Sequence, residues 1–296
     1  MRKLLFSLVL GLFTSCASLT NTQIESVNQY ATSVKNFSAY PSKIMSGLAE
    51  IRAKRGVCYA NSLSDPKLHI DALDSLYSNK VHAYKVSQQV DITFEIIDKY
   101  AQSLALLSSD KFQTNIDQES KNFGTSLDSL VNTYNKIDKS KNLPTNIGSA
   151  VSKLIALGGK QYVKNRQAKE IRKFVSQADT LISIMTNNLL TFLESENINQ
   201  LIEAEEWGIH QNYLSFLRQV NKASIDNEYI YLDLKARIDE VKLLREQTVK
   251  ATKQIQSAHK ELLICIQKKK ELKEILKDVQ SLNKQINDIK KTITNN

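Results

Sequence analysis

Glycine and proline are scarce in this chain. It has 8 glycines and 3 prolines among 296 residues, and both residue types weaken or end helices when they fall inside them. Hydrophobic residues make up 42% of the chain and charged residues 24%, a balance that is typical of folded proteins. The sequence therefore predicts an all-α fold, an elongated antiparallel helical bundle built from long helices.

Apolar runs long enough to span a membrane are also lacking. The longest uncharged apolar run, Leu4 to Phe13, has ten residues, whereas a membrane-spanning helix needs about 20. The basic residues Arg2 and Lys3 precede this run, and the short polar pair Thr14-Ser15 follows it. This order of segments is typical of an export signal. We therefore expect the chain to be exported.

The end of this leader resembles the lipobox of bacterial lipoprotein precursors. The segment is Phe13-Thr14-Ser15-Cys16, and in that family small residues precede a cysteine that is lipidated and becomes the new N-terminus. The family usually has Leu where this chain has Phe13. The resemblance covers residues 1–16 only and implies a signal peptide over 1–15 and a lipidated Cys16, with enough acyl chains for stable anchoring. The alternative is an ordinary secretory signal with an incidental cysteine.

The residues after the cysteine bear on where the protein is held. Ala17 resembles the residue found in lipoproteins that are sent to the outer membrane, if the source has two membranes. Residues 16–21 are predicted to be a short tether. The expected partner at this end is therefore the membrane, reached through lipid on Cys16, with the folded part close to its surface.

Two cysteines remain in the body of the chain, Cys58 and Cys265. An exported protein meets conditions that permit a disulfide, so pairing stays open. Cys265 lies within the apolar stretch 262–266, where a buried thiol behaves as a small hydrophobe. We predict two unpaired cysteines in the core.

Apolar residues that recur at steps of three and four predict a series of helices. The predicted helices are Thr22 to Phe37, Ser42 to about Tyr59, 67–107, 111–137 and 163 to about Trp207. Pro41 separates the first two, and Asp65 and Pro66 suit the N-cap and first position of the third. Gly208 is a candidate break after the last of them.

The polar segment 138–144 is the best candidate for an internal boundary. It divides an N-terminal helical region, 22–143, from a C-terminal helical region, 144–296. Within the second region, Glu228 to Leu234 is rich enough in aromatic and branched residues to suggest a strand. Because a single strand would have no partner, we predict a helix there.

The segment 147–159 is unusually rich in small and apolar residues and contains Gly148, Gly158 and Gly159. It is not a phosphate-binding loop, because that motif needs glycine at the position of Leu154 and Ser or Thr after Lys160. One interpretation is a close helix crossing at the glycines. The other is a segment that inserts into a bilayer around Ile155, resembling helical pore-forming toxins of the cytolysin A or haemolysin BL type.

The C-terminal helix carries a narrow apolar seam with the spacing of a coiled coil over three heptads. Its members are Leu272, Ile275, Val279, Leu282, Ile286, Ile289 and Ile293. Such a seam needs a partner helix, so we expect binding to another protein or to a second copy. Lys268-Lys269-Lys270 fits the solvated face of this helix, and we do not expect nucleic acid as a partner.

Residues with catalytic or metal-binding spacing are missing. The four histidines form no recognised ligand motif, and no serine lies in a nucleophile elbow. Glu203, Glu206 and His210 share one helical face, but di-metal bundles need a Glu-x-x-His pattern on separate helices. We therefore expect no enzyme, cofactor or metal site. The sequence predicts a lipid-anchored envelope protein of binding or structural type, with a membrane-perturbing protein as the alternative.

Overall fold

The computed structural model describes residues 21–37, 40, 42–108, 116–137, 164–220, 222–268, 280–281, 283–289 and 291. Seven long helices lie in this part of the chain: α1 Asn21–Phe37, α2 Ser42–Ala60, α3 Pro66–Ser108, α4 Ile116–Ile137, α5 Lys164–Leu193, α6 Glu196–Leu217 and α7 Ile225–Lys268. Residues 283–289 are also helical. No strand occurs among the described residues, so the predicted all-α helical bundle is confirmed.

The start of α3 follows the predicted capping chemistry. Asp65 Oδ1 accepts hydrogen bonds from the backbone N–H of Lys67 at 2.7 Å and of Leu68 at 3.1 Å. These two N–H groups would otherwise lack partners in the first turn. Pro66 occupies the first helical position, where its missing N–H carries no penalty.

The prediction of one helix from 163 to about Trp207 is wrong. The chain turns at Glu194-Ser195, which separates α5 from α6. Ser195 Oγ accepts from the backbone N–H of Ile198 at 3.4 Å and so caps the new helix. Gly208 does not end a helix, since α6 continues through it to Leu217.

Helix α7 is the longest described element. It has 44 residues, which at 1.5 Å per residue is about 66 Å of helix. It includes the segment Glu228 to Leu234, so the prediction of a helix there is confirmed. No described helix has enough length and apolar character to cross a membrane.

One hydrophobic core joins helices from both sides of the segment 138–144, which itself lies outside the described residues. Phe37 of α1 packs edge-on against Phe94 of α3, with ring centroids 5.6 Å apart. Two members of the predicted C-terminal seam, Ile286 and Ile289, are buried in this same core. At these two positions the partner of the seam is the chain itself.

Helices α1 and α2 run along α7 one after the other and antiparallel to it. Tyr30 of α1 donates its hydroxyl to the Ile255 carbonyl at 3.4 Å, and Lys54 of α2 pairs with Asp233 at 3.2 Å. The contacted residue of α7 therefore changes from 255 to 233 as the residue number in α1 and α2 rises from 30 to 54, which is the antiparallel order.

The end of α2 therefore lies beside the start of α7. The end of α6 and the start of α3 lie at this same end of the molecule. There Leu76 of α3 packs directly on Gly56 of α2. We call this end the tip; it comprises residues 57–77, 213–217 and 225–233.

Candidate functional site

A fully buried carboxylate lies between α2 and α6, next to the tip. Glu205 is 0% exposed, and Arg52 and Arg55 of α2 each take one of its oxygens at 2.5 Å. The two guanidinium groups supply the charge-assisted hydrogen bonds that a buried carboxylate requires. This charge cluster fixes α2 against α6.

Gly208 is explained by the same cluster. A Cβ added at Gly208 would lie 2.5 Å from Arg55 Cζ and 2.6 Å from its Nη1, so a larger residue would collide with the guanidinium group. Asn212, one turn further along α6, donates its side-chain N–H to the Arg55 carbonyl at 3.1 Å. The glycine provides space for an arginine and does not break the helix.

The buried role of Glu205 was not predicted from the sequence, although a signal was present. The apolar stripe of α6 runs through Ile198, Ile202 and Ile209, and Glu205 stands at the position in this stripe where the spacing requires an apolar residue. A lone carboxylate in a buried stripe needs a cationic partner from another helix. Spacing within one helix cannot say which arginine supplies it.

Beyond this cluster, a cleft of about 250 Å³ opens at the tip between α2, α6 and α7. Its lining is mostly apolar and consists of Lys54, Val57, Cys58, Asn61, Tyr213, Phe216, Asn227, Ile230 and Asp233. Burial alone would raise the pKa of Asp233, but hydrogen bonds from Lys54 and Arg237 hold it below its ordinary value. The cleft thus combines apolar walls with an ionised pair.

Aromatic rings form one wall of this cleft. Tyr213 stacks on Tyr231 with centroids 4.7 Å apart and lies 6.0 Å from Phe216. The thiol of Cys58 is free and half-buried, and burial raises its pKa. It is therefore protonated at neutral pH and contributes a small apolar surface rather than a nucleophile.

Large apolar side chains are exposed around the cleft. Among the side chains that the structure describes, all the large exposed hydrophobic ones belong to the tip except Trp207 and Leu243. Ile225 and Tyr229 of α7 are 72% and 65% exposed. Single exposed apolar residues are ordinary, but a concentration of them marks an interaction surface.

A second group of polar side chains lies in the core, far from the tip. His259 of α7 is buried, and its Nδ1 is hydrogen-bonded to the Tyr100 hydroxyl at 3.0 Å. Its Nε2 lies 3.3 Å from Asp179 Oδ1. Burial lowers the pKa of His259 to about 4, although Asp179 opposes this shift. The imidazole is therefore neutral at pH 7.

The predicted functional residues have different outcomes. Cys16 and the segment residues Gly148, Ile155, Gly158 and Gly159 lie outside the described residues, as does the Cys265 side chain. For these positions the sequence predictions stay predictions. Cys58 is unpaired, as predicted, but it lines a cleft at the tip instead of lying in the core.

One face of α6 carries Glu203, Glu206 and His210, and it lies partly against α7 and partly in solvent. Glu206 pairs with Lys242 at 2.7 Å, and His210 Nδ1 lies 3.5 Å from the Tyr231 hydroxyl. Glu203 is exposed. No three His, Cys, Asp or Glu side chains gather as metal ligands within the described residues.

Comparisons of this chain with protein-family models, with curated proteins and with solved structures found no match. The geometry of the tip and of the helix core is therefore the basis for a function.

Proposed function

We propose that this protein is a lipid-anchored envelope protein of binding type, which holds an apolar tip away from the membrane and binds a protein partner there. The observation that carries the proposal is that the tip and Asn21, the first described residue after the predicted anchor, lie at opposite ends of the described bundle. The leader ending at Cys16 supports the anchor, and the exposed side chains around the cleft support the docking role.

The separation follows from the register of α1 along α7. Cys16 precedes the start of α1 at Asn21 by five residues, which reach at most about 18 Å even when fully extended. Tyr30, further along α1, touches Ile255. From Ile255 to Ile230, which lines the cleft, α7 rises about 38 Å. A membrane-anchored chain of this fold therefore presents its cleft on the far side of the bundle.

The tip suits a protein partner better than a small molecule. Its cleft of about 250 Å³ is smaller than the roughly 300 to 1,000 Å³ of most ligand pockets, whereas one large side chain fills such a space. Buried apolar side chains in central pockets dominate the affinity of protein interfaces. The exposed residues around the cleft would then form the surrounding contact.

The sequence predicted that a partner binds the seam of the C-terminal helix, whereas we place the partner at the tip. Ile286 and Ile289 of that seam are buried within the chain's own core. In the part of the chain that the structure describes, the exposed large apolar side chains are concentrated at the tip. We therefore assign the partner to the tip.

A photo-crosslinking amino acid at Tyr229 tests the docking role in cells of the source bacterium. We expect a specific cross-linked adduct with a second protein. The matched control is the same amino acid at Leu243, which is also exposed on α7 but lies outside the tip. If both positions give the same adducts, or neither gives any, the docking role is wrong.

The anchor is tested separately by metabolic labelling with a fatty acid. The wild-type chain should be labelled and Cys16→Ser should not, because the lipid is attached to that thiol. Equal labelling of the two chains would remove the anchor from the proposal and leave the docking test unaffected.

A further inference from the structure

The tip is acidic although the chain as a whole is basic. Its three segments, 57–77, 213–217 and 225–233, contain six carboxylate residues and one basic residue, Lys67, whereas the whole chain has a formal net charge of +9. The six carboxylate residues are Asp65, Asp71, Asp74, Asp226, Glu228 and Asp233. A surface of one sign attracts partners of the opposite sign and repels partners of its own sign.

Four of these carboxylates are exposed and available to a partner. Asp233 is already paired with Lys54 and Arg237, and Asp65 caps α3. The other four form no ion pair with a basic side chain among the residues that the structure describes, and they are Asp71, Asp74, Asp226 and Glu228.

The basic residues near the tip do not lie among its exposed apolar side chains. Lys54 and Arg237 are engaged by Asp233, and Arg55 is engaged by Glu205. Three others border the tip from outside its segments, and they are Arg218, Lys222 and Lys235. The free carboxylates, in contrast, lie within the segments that carry the apolar residues.

Free carboxylates stand next to exposed apolar side chains in two helices. The adjacent pairs are Ile70-Asp71 and Leu73-Asp74 at the start of α3 and Glu228-Tyr229 at the start of α7. All six side chains are exposed. The same combination of apolar and acidic groups therefore occurs in two helices from distant parts of the chain.

The end of α2 lies between these two acidic segments. Gly56 contacts Leu76 of α3, and Lys54 pairs with Asp233 of α7. Because successive residues of a helix are about 100° apart around its axis, positions 54 and 56 face nearly opposite directions. The acidic segments of α3 and α7 therefore border the end of α2 from opposite sides.

The negative charge extends to the cleft itself. Burial and, after it, the charge of Glu228 raise the pKa of Tyr213, whose ring lines the cleft together with Phe216 and Ile230. The space of about 250 Å³ between these walls suits a large apolar side chain. The carboxylates around the cleft would then face the residues that flank this side chain in the partner.

We propose that the partner at the tip is a cationic amphipathic segment of another protein, which inserts a large apolar side chain into the cleft and flanks it with lysine or arginine; this rests on the docking role proposed above. Charges of opposite sign across an interface speed association and select the partner. A second copy of this chain, docked in a two-fold dimer, would place one acidic tip against the other. An anionic lipid surface would also meet its own sign.

Mass spectrometry of the adduct formed by the photo-crosslinking amino acid at Tyr229 identifies the segment of the partner that lies at the tip. We expect that segment to have a net positive charge and a large apolar residue. A neutral or acidic segment, or a second copy of this chain, overturns this inference and leaves the docking role in place. A lipid adduct, or no adduct, overturns both.

Charge reversal tests the same inference without knowledge of the partner. Asp226→Lys/Glu228→Lys should lower the yield of the Tyr229 adduct by at least about 10-fold, because like charges then meet across the interface. Glu196→Lys/Glu203→Lys is the matched control. It makes the same change of charge at two exposed carboxylates of α6 outside the tip, one of them in the first turn of its helix as Asp226 is, and it should leave the yield unchanged.

Circular dichroism of the purified full-length variants checks that both keep their helices. An undiminished adduct in Asp226→Lys/Glu228→Lys, or an equal loss in the control, overturns the inference, while a specific adduct in the wild type still supports the docking role. If the reversal variant does not fold, the composition of the segment joined to the wild-type chain decides.

Discussion

Replacing both arginines of the charge cluster should destabilise the protein far more than replacing the glutamate. In the double variant Arg52→Met/Arg55→Met, the fully buried carboxylate of Glu205 has no cationic partner. Leaving a buried charge unpaired lowers the free energy of unfolding by about 3 to 5 kcal/mol. In Glu205→Met, the arginines are already 37% and 20% exposed and can turn towards water. We expect a loss of about 1 to 2 kcal/mol there.

The triple replacement of Arg52, Arg55 and Glu205 by methionine separates charge from packing. Exchange of a buried ion cluster for apolar side chains of similar volume is often neutral, so the triple variant should be more stable than the arginine double variant. Urea unfolding measures the free energies through the transition midpoint and slope. Arg237→Met, at an exposed ion pair with Asp233, is the control and should change stability by less than about 1 kcal/mol.

One outcome would refute this reasoning. If the arginine double variant is no less stable than Glu205→Met, then Glu205 does not carry a buried charge that depends on α2. The description of the contact between α2 and α6 would then be wrong.

Three further predictions concern other parts of the chain. The unfolding free energy should fall by about 3 kcal/mol as pH drops from 6.5 to about 4, because unfolded His259 binds a proton before folded His259 does; His259→Gln should flatten the pH dependence of chemical denaturation. Gly208→Ala should lower the melting temperature, since the overlap with Arg55 costs about 1 to 3 kcal/mol against about 1 kcal/mol gained in helix propensity. Ile155→Asp should lower the melting temperature if the segment 147–159 is a packed helix crossing, because a buried charge without a partner is costly. If instead the wild type releases dye from liposomes, and Ile155→Asp no longer does so while keeping its melting temperature, the membrane-perturbing alternative is supported.

The helices were predictable from the sequence because periodicity and capping are local. Asp65 and Pro66 indicate the start of α3 to within two residues. Apolar residues recur at steps of three and four because the α-helix has 3.6 residues per turn. The turn at Glu194-Ser195 was missed because the apolar steps continue across it. Gly208 was misread because its cause, the Arg55 side chain, comes from another helix more than a hundred residues away.

The candidate sites were not predictable for a related reason. Glu205 and its arginines, or His259 with Tyr100 and Asp179, come together only when separate helices pack. Spacing along one helix identifies which face is buried, but it does not identify the residue opposite. The one signal available was a polar residue inside an apolar stripe, which predicts that a partner exists without naming it.

Two charge networks give the cleft at the tip a fixed shape. Glu205 sets the register of α2 against α6 through Arg52 and Arg55, because only one alignment brings both guanidinium groups to the two carboxylate oxygens. A ladder on the neighbouring face sets α2 against α7; its members are Glu50, Lys54, Asp233 and Arg237. The three helices that line the cleft are thus fixed to one another by directional contacts in addition to apolar packing. A preorganised cleft loses less entropy when a partner binds, so in the proposed docking role the charge cluster would favour binding without touching the partner.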